Sequence, residues 1–219
     1  MWGREKHAWP AFTPIYLPLC PSSEKNPDEE RNRVPPNVKF EIFDVESPWT
    51  YRAPFDFVFC RYMLGSILDW PSFVRRVSEN VVPNGWVELQ DFNLRYESED
   101  GSLRESHSTY RWIKAIGDAL VGAGREGMVG ENLAGWLREA GFVGVTEEVF
   151  TFPIGGWPDD ARLRKLGWLS FVAILDGLEA FSLRLLCDTA GWNEADVHAL
   201  LAEVHDEFTS GKFHAQIKL

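Results

Sequence analysis

Polar residues that follow apolar runs are where this 219-residue sequence could do chemistry. Asp44 follows Val38, Phe40, Ile42 and Phe43; Arg61, Tyr62 and Met63 follow Phe55, Phe57, Val58 and Phe59; Gln90, Asp91 and Asn93 follow Trp86, Val87 and Leu89. A carboxylate such as Asp44 at the end of a strand can take a ligand's amine or hydroxyl, and equally it can cap a turn leading into Ser47-Pro48. His107 has the ordinary imidazole pKa of about 6.5 that suits a general base at neutral pH, or it is a surface histidine. Arg61, Tyr62 or Tyr110 could polarise a carbonyl. His198 and His205 share a helix face but sit about 10 Å apart, too far to ligate one metal ion, so no metal site is expected.

The elements that must position these groups centre on the stretch Phe55 to Phe92. Its two apolar runs flank a segment in which Trp70, Phe73, Val74, Val77 and Val81 recur at helical intervals, with Arg75, Arg76, Glu79 and Asn80 on the other side. Asp69 is placed to cap that helix, and Pro71 is tolerated in a first turn. Two strands joined by a helix must be parallel, and parallel strands are buried on both faces, hence apolar almost throughout. The spacing therefore predicts an α/β protein with its ligand site at the carboxyl ends of the strands.

Around that unit, residues 1–37 form an irregular proline-rich segment in which only Ile15–Leu17 hints at a strand, and residues 38–219 form one domain. A strand is predicted over Val38–Val45, helices over Leu103–Val121 and Glu131–Ala140, and a strand over Phe142–Phe152. A long helix follows over Asp159–Cys187, too apolar for a single buried stripe and so expected to be covered on more than one side, and then a last helix opened by Asn193. The glycines of GAGREG follow a helix rather than a strand, which rules out a phosphate loop there.

Hydrophobic residues make up 45% of the chain and charged residues 25%, as in ordinary globular proteins. A net charge of -11 repels phosphate backbones and excludes nucleic-acid binding as a main role. Cys20, Cys60 and Cys187 are odd in number and far apart, which reads as free thiols of a cytoplasmic or nuclear protein. Neither a secretion signal nor a membrane span is expected. Ten tryptophans suggest a deep apolar pocket or a partner surface beyond ordinary core packing.

The succession VPPNVKFEIFDVESPWTYRAPFDFVFCRYMLGSILDWPSFVRRVSENVVPNGWVELQD, followed by ENLAGWLREAGF, VTEEVFTFPIG and GWNEADVHALLAEVHDEF, resembles the class I S-adenosylmethionine-dependent methyltransferases, in particular the fungal LaeA-like group of secondary metabolism. The resemblance covers about Pro35 to Gln216. It implies a truncated Rossmann-like methyltransferase sheet with helices on both faces and extra substrate-covering helices. It also implies that Asp44 and Val45 meet the adenine of S-adenosylmethionine, that Arg61 and Met63 border the methyl donor, and that His107, Tyr110, Arg61 and Asp91 face an apolar small-molecule substrate. The family's glycine-rich turn has no counterpart, since Gly3 is the only glycine before Gly65.

Two classes of function follow. In the first, the chain transfers a methyl group from S-adenosylmethionine to a small molecule or protein. In the second, a methyltransferase-derived protein has lost the cofactor and serves as a cyclase or pericyclase of biosynthesis, or as a non-catalytic regulator. The missing strands leave parallel edges, to be covered by a homodimer or by the N-terminal segment.

Overall fold

The structure, a computed structural model, describes residues 37–219. All of the proline-rich segment except its last residue lies outside them, as do the strand expected at Ile15–Leu17 and Cys20. In chain order the elements are β1 (Phe55–Arg61), α1 (Trp70–Glu79), β2 (Val81–Gln90), α2 (Ser108–Gly122), α3 (Val129–Glu139) and β3 (Thr151–Ile154). They continue with α4 (Ala161–Leu183), which runs on into a π-helical turn (Arg184–Thr189), then α5 (Glu194–Ser210) and β4 (Ala215–Lys218).

The strand–helix–strand unit forms as its residue pattern dictates. β1 and β2 pair in parallel, with Phe57 beside Trp86 and Arg61 beside Gln90. The Asp69 carboxylate accepts from the Ser72 N–H at 2.9 Å and so caps α1, whose first turn holds Pro71. The stripe Trp70, Phe73, Val74 and Val77 is buried in one cluster with Val58 and Cys60 of β1 and with Val129 and Leu133 of α3. There the indole of Trp70 stacks on that of Trp136, centroids 5.7 Å apart. Burial along β1 alternates, because α1 and α3 cover only the Val58–Cys60 face. Where cover on both faces was expected, the second face presents Phe59 and Trp86, 45% and 75% exposed.

A second layer is built on β3 and β4, which pair antiparallel with Ile154 beside Ala215 and Thr151 beside Lys218. Its core joins Trp112, Ile113 and Ile116 of α2 to Phe171 and Leu178 of α4 and to Val197, Leu201, Val204 and Phe208 of α5. Deep inside it, Trp112 Nε1 donates to Ser182 Oγ at 2.8 Å, which leaves neither group unpaired. α2 ends in a Schellman motif: Arg125 N–H donates to Leu120 C=O and Gly124 N–H to Val121 C=O, with Gly124 at a φ of 70°. GAGREG is thus a helix stop.

Four further expectations are corrected. Residues 38–45 form no strand; Phe40 is 52% and Ile42 95% exposed, so the alternating pattern there buries no face. The strand expected over Phe142–Phe152 is confined to its end: β3 spans Thr151–Ile154, and Phe150 exchanges two backbone bonds with Leu219, whereas Val143 and Val149 stay exposed. α4 is covered along one stripe only, with Gly167, Phe171, Leu178 and Ser182 buried, while Trp168, Leu169 and Phe181 are more than half exposed. The α2 helix starts five residues later than its pattern suggests, since Asp100 draws Ser98 and Ser102 into a turn first.

Candidate functional site at the strand ends

The carboxyl ends of β1 and β2 converge on Asp91, only 3% exposed. Its Oδ2 accepts from the Met63 N–H at 2.8 Å and its Oδ1 from the Phe92 N–H at 3.0 Å. Burial pushes the carboxyl up to about 6, against the pull of the Phe92, Met63 and Leu64 amides. Next to it the Cys60 thiol is pushed up to about 12, by burial first and by the Asp91 charge second, so Cys60 is a buried neutral thiol and no nucleophile. Cys60 and Cys187 are both free. Gly130 of α3 lets this helix come close: a Cβ there would lie 3.1 Å from the Asp91 carbonyl and 3.2 Å from Asn93 Oδ1, which itself accepts from the Glu131 N–H.

The loop after β1 begins under strain. Tyr62 takes a φ of 56°, a left-handed conformation that a bulky residue rarely adopts, while its N–H still donates to the Gln90 carbonyl at 3.0 Å. That twist turns the side chain back over the site's outer rim. Arg61 lies over the Tyr62 ring at 4.2 Å and donates to its hydroxyl at 2.8 Å, and the ring meets Phe92 edge-on at 6.0 Å. Met63 is half-buried, its N–H spent on Asp91.

Asp44 sits in a turn rather than at a strand end. Oδ1 accepts from the Glu46 N–H and Oδ2 from the Ser47 hydroxyl, bonds that hold its carboxyl below the usual range, the Ser47 bond foremost. The Val45 carbonyl accepts from Trp49 Nε1 and from Arg76 Nη1. Glu46 is what brings this turn to the site: its Oε1 accepts from both the Leu68 and Asp69 N–H groups at 3.0 Å, on the loop that leaves β1. No sequence signal marked Glu46, because its partners lie 22 and 23 residues away.

Arg61, Met63 and Asp91 thus stand together, with Asp44 and Val45 tied in through Glu46. His107 and Tyr110 stand elsewhere. His107 is the residue before α2, its Nδ1 facing the Arg104 N–H at 3.0 Å and its ring against Phe213. Leu120, at the other end of that helix, is what approaches Gly65 in the β1 loop, so about 20 Å of helix separates the two groups. The N-terminus of α2 is instead capped by Glu207 of α5, which accepts from the Ser108 and Thr109 N–H groups and the Thr109 hydroxyl. Burial would raise the Glu207 carboxyl, but the Thr109 and Ser108 bonds outweigh it and leave it low.

The second layer holds an aromatic cleft of about 380 Å³ between β3, α4 and α5, lined by Trp157, Trp168, Phe171, Phe208 and Phe213. The chain leaving β2 runs beside β4, Asn93 bonding Lys218 and Glu97 bonding Gln216. Asn93, two residues on from Asp91, is thus level with Lys218, which lies about 10 Å along β4 from Ala215 at the Ile154 end of the cleft.

Comparison with known proteins fits this geometry. A family model described as "Methyltransferase domain" matches residues 8–147. Methyltransferase pytC of Aspergillus terreus is 38% identical over 183 residues, 83% of this chain and 56% of its own. The probable methyltransferase tdiE of Emericella nidulans is 31% identical over 171 residues, 78% of this chain and 54% of its own. The secondary metabolism regulator LAE1 of Cochliobolus heterostrophus is 27% identical over 187 residues, 84% of this chain and 61% of its own. The chain spans little more than half the length of these relatives. A solved phosphoethanolamine N-methyltransferase of Haemonchus contortus aligns loosely, at 15% identity and a TM-score of 0.43 over 87% of this chain and 38% of that one.

Proposed function

Because the chain belongs to the methyltransferase domain family, we propose that it serves methyl transfer from S-adenosylmethionine to an apolar small-molecule or protein acceptor in fungal secondary metabolism. The observation that carries this reading is the buried Asp91 carboxylate, fastened to the amides that open the β1 loop at the carboxyl ends of a parallel strand pair. Asp91 acts as a positioning residue: it fixes the course of Met63 and, through it, the strained Tyr62 and the overlying Arg61 that border the site.

The residues present fit one end of S-adenosylmethionine. Each Asp44 oxygen takes a single hydrogen bond, leaving acceptor capacity for an adenine amino group, and Val45 stands next to it. The described residues before Gly65 include no glycine, so the close backbone approach that the methionine end requires is not among them. When bound, the cofactor supplies an electrophilic methyl group; the residues of this chain hold its base and border its donor end. Such transfer needs alignment of donor and acceptor above all, which a fixed loop provides.

Calorimetric titration with S-adenosylmethionine and S-adenosylhomocysteine tests this. Micromolar binding, weakened at least tenfold by Asp44→Ala, supports it; no heat at millimolar ligand sinks it. That second outcome favours the alternative, a cofactor-independent cyclase or a non-catalytic regulator on the same fold, for which the run without glycine from Arg4 to Leu64 is the supporting feature. A homodimer formed over the partly exposed Phe59–Trp86 sheet face is proposed alongside, and light scattering that returns a monomer mass at all concentrations removes it.

A further inference from the structure

We propose that the aromatic cleft of the second layer binds a neutral, planar, aromatic small molecule; that this molecule is the methyl acceptor is the part that rests on the function proposed above. The cleft's volume of about 380 Å³ falls among those of small-molecule sites. Its shape is set by two glycines rather than left over from packing. Gly167 of α4 accepts a backbone bond from Gly155, and a Cβ on Gly167 would lie 2.1 Å from the Gly155 oxygen, so no larger residue allows the helix this close to the end of β3. Gly155 itself takes a φ of 101°, open to glycine alone.

The chemistry of the lining selects the occupant. Several of its polar groups already have partners: Trp157 Nε1 donates to the Ala215 carbonyl at 3.2 Å, Thr209 Oγ1 to the His205 carbonyl at 2.9 Å, and the Gly211 N–H to the Phe208 carbonyl at 3.3 Å, while the Trp168 indole N–H stands at the open mouth. None of the lining residues is ionisable. A charged ligand would give up its hydration and meet no opposite charge in return. What the walls offer is ring surface. Trp168 and Phe171 lie nearly parallel at 4.9 Å, Phe208 and Phe213 present tilted rings behind them, and Trp168 remains 56% exposed at the mouth, where a flat ring can cover it. Stacking between rings of fixed orientation favours a planar aromatic system over a saturated one of equal size.

The test titrates the full chain with 2-naphthol and, as a saturated counterpart, decahydro-2-naphthol, following the indole N–H resonances of Trp157 and Trp168. Saturable 2-naphthol binding is expected, at least about tenfold tighter than that of the saturated alcohol. Trp168→Ala, and Thr209→Phe filling the cleft from its exposed rim, are each expected to weaken it about tenfold, and Trp86→Ala on the distant sheet face to leave it unchanged. Equal affinity for the two alcohols, shifts that never saturate, or indifference to both cleft variants would overturn the proposal. No cofactor enters the measurement. Naphthol binding without S-adenosylmethionine binding keeps the site and removes only its acceptor role; cofactor binding without naphthol binding removes the site and keeps methyl transfer.

Discussion

The strand-end site and the aromatic cleft are made on opposite principles. At the strand ends a carboxylate is buried against its preference, a tyrosine is held left-handed and an arginine is folded back over its neighbour. In the cleft the Trp157 and Thr209 side chains are at rest in bonds of their own, no lining residue is ionisable, and aromatic rings make much of the wall. The first arrangement stores strain and responds to pH; the second does neither. The contrast suits a protein in which one region handles a reactive, charged group and the other selects shape.

The largest effect that would blur this contrast is expected from Trp70→Ala. Trp70 is 2% exposed and clamps α1 to α3 behind the strand ends, so its loss should cost about 3–5 kcal/mol in urea denaturation while the second layer keeps its hydrogen-exchange protection. Equal loss of protection in both layers would show that the regions fold as one unit.

Asp91 sharpens the contrast through pH. Its folded-state value of about 6 lies above the reference 3.8, so the folded chain binds the proton more tightly and stability falls as pH rises between the two, by roughly 3 kcal/mol at most. Urea midpoints measured from pH 4 to 7 should carry that slope, and Asp91→Asn should flatten it. Glu207 has the opposite sign: held low, it contributes stability above its reference value of 4.5 that is lost as pH falls further. Glu207→Gln, which uncaps α2, should cost about 1–2 kcal/mol at neutral pH and flatten only the acid limb. The smallest effect is expected at Tyr62. Tyr62→Gly should alter stability by less than about 1 kcal/mol, relief of the left-handed strain offsetting the ring's lost contacts, whereas Tyr62→Val should destabilise; the same urea curves report both.

Much of the first region could be read from sequence because its determinants are local. Trp70, Phe73, Val74 and Val77 announce their helix within two turns, Asp69 announces its start, and a strand–helix–strand order leaves only a parallel pairing. Asp91 was legible as a strand-end carboxylate for the same reason. Val38–Val45 misled because alternation marks a segment able to pair, whereas pairing needs a neighbour that spacing does not supply. α4 misled in a related way: its apolar count is real, but which of those residues are covered depends on what other segments bring, and Trp168 and Phe181 were left outside. Glu46, Glu207 and the separation of His107 from Asp91 depend on contacts across tens of residues, for which no local pattern exists.

The antiparallel pairing of Ile154 with Ala215 carries one more consequence. The chain departs from the sheet and returns to it at adjacent points, and every residue lining the cleft belongs to the excursion between them. The strand register does not set the length of such a segment, which is tied to the rest of the chain through α2, by the shared core of Trp112, Ile113 and Ile116 and by the Glu207 cap. A change in the cleft's lining is therefore felt first at α2, and only through that helix's far end, where Leu120 nears Gly65, at the strand ends.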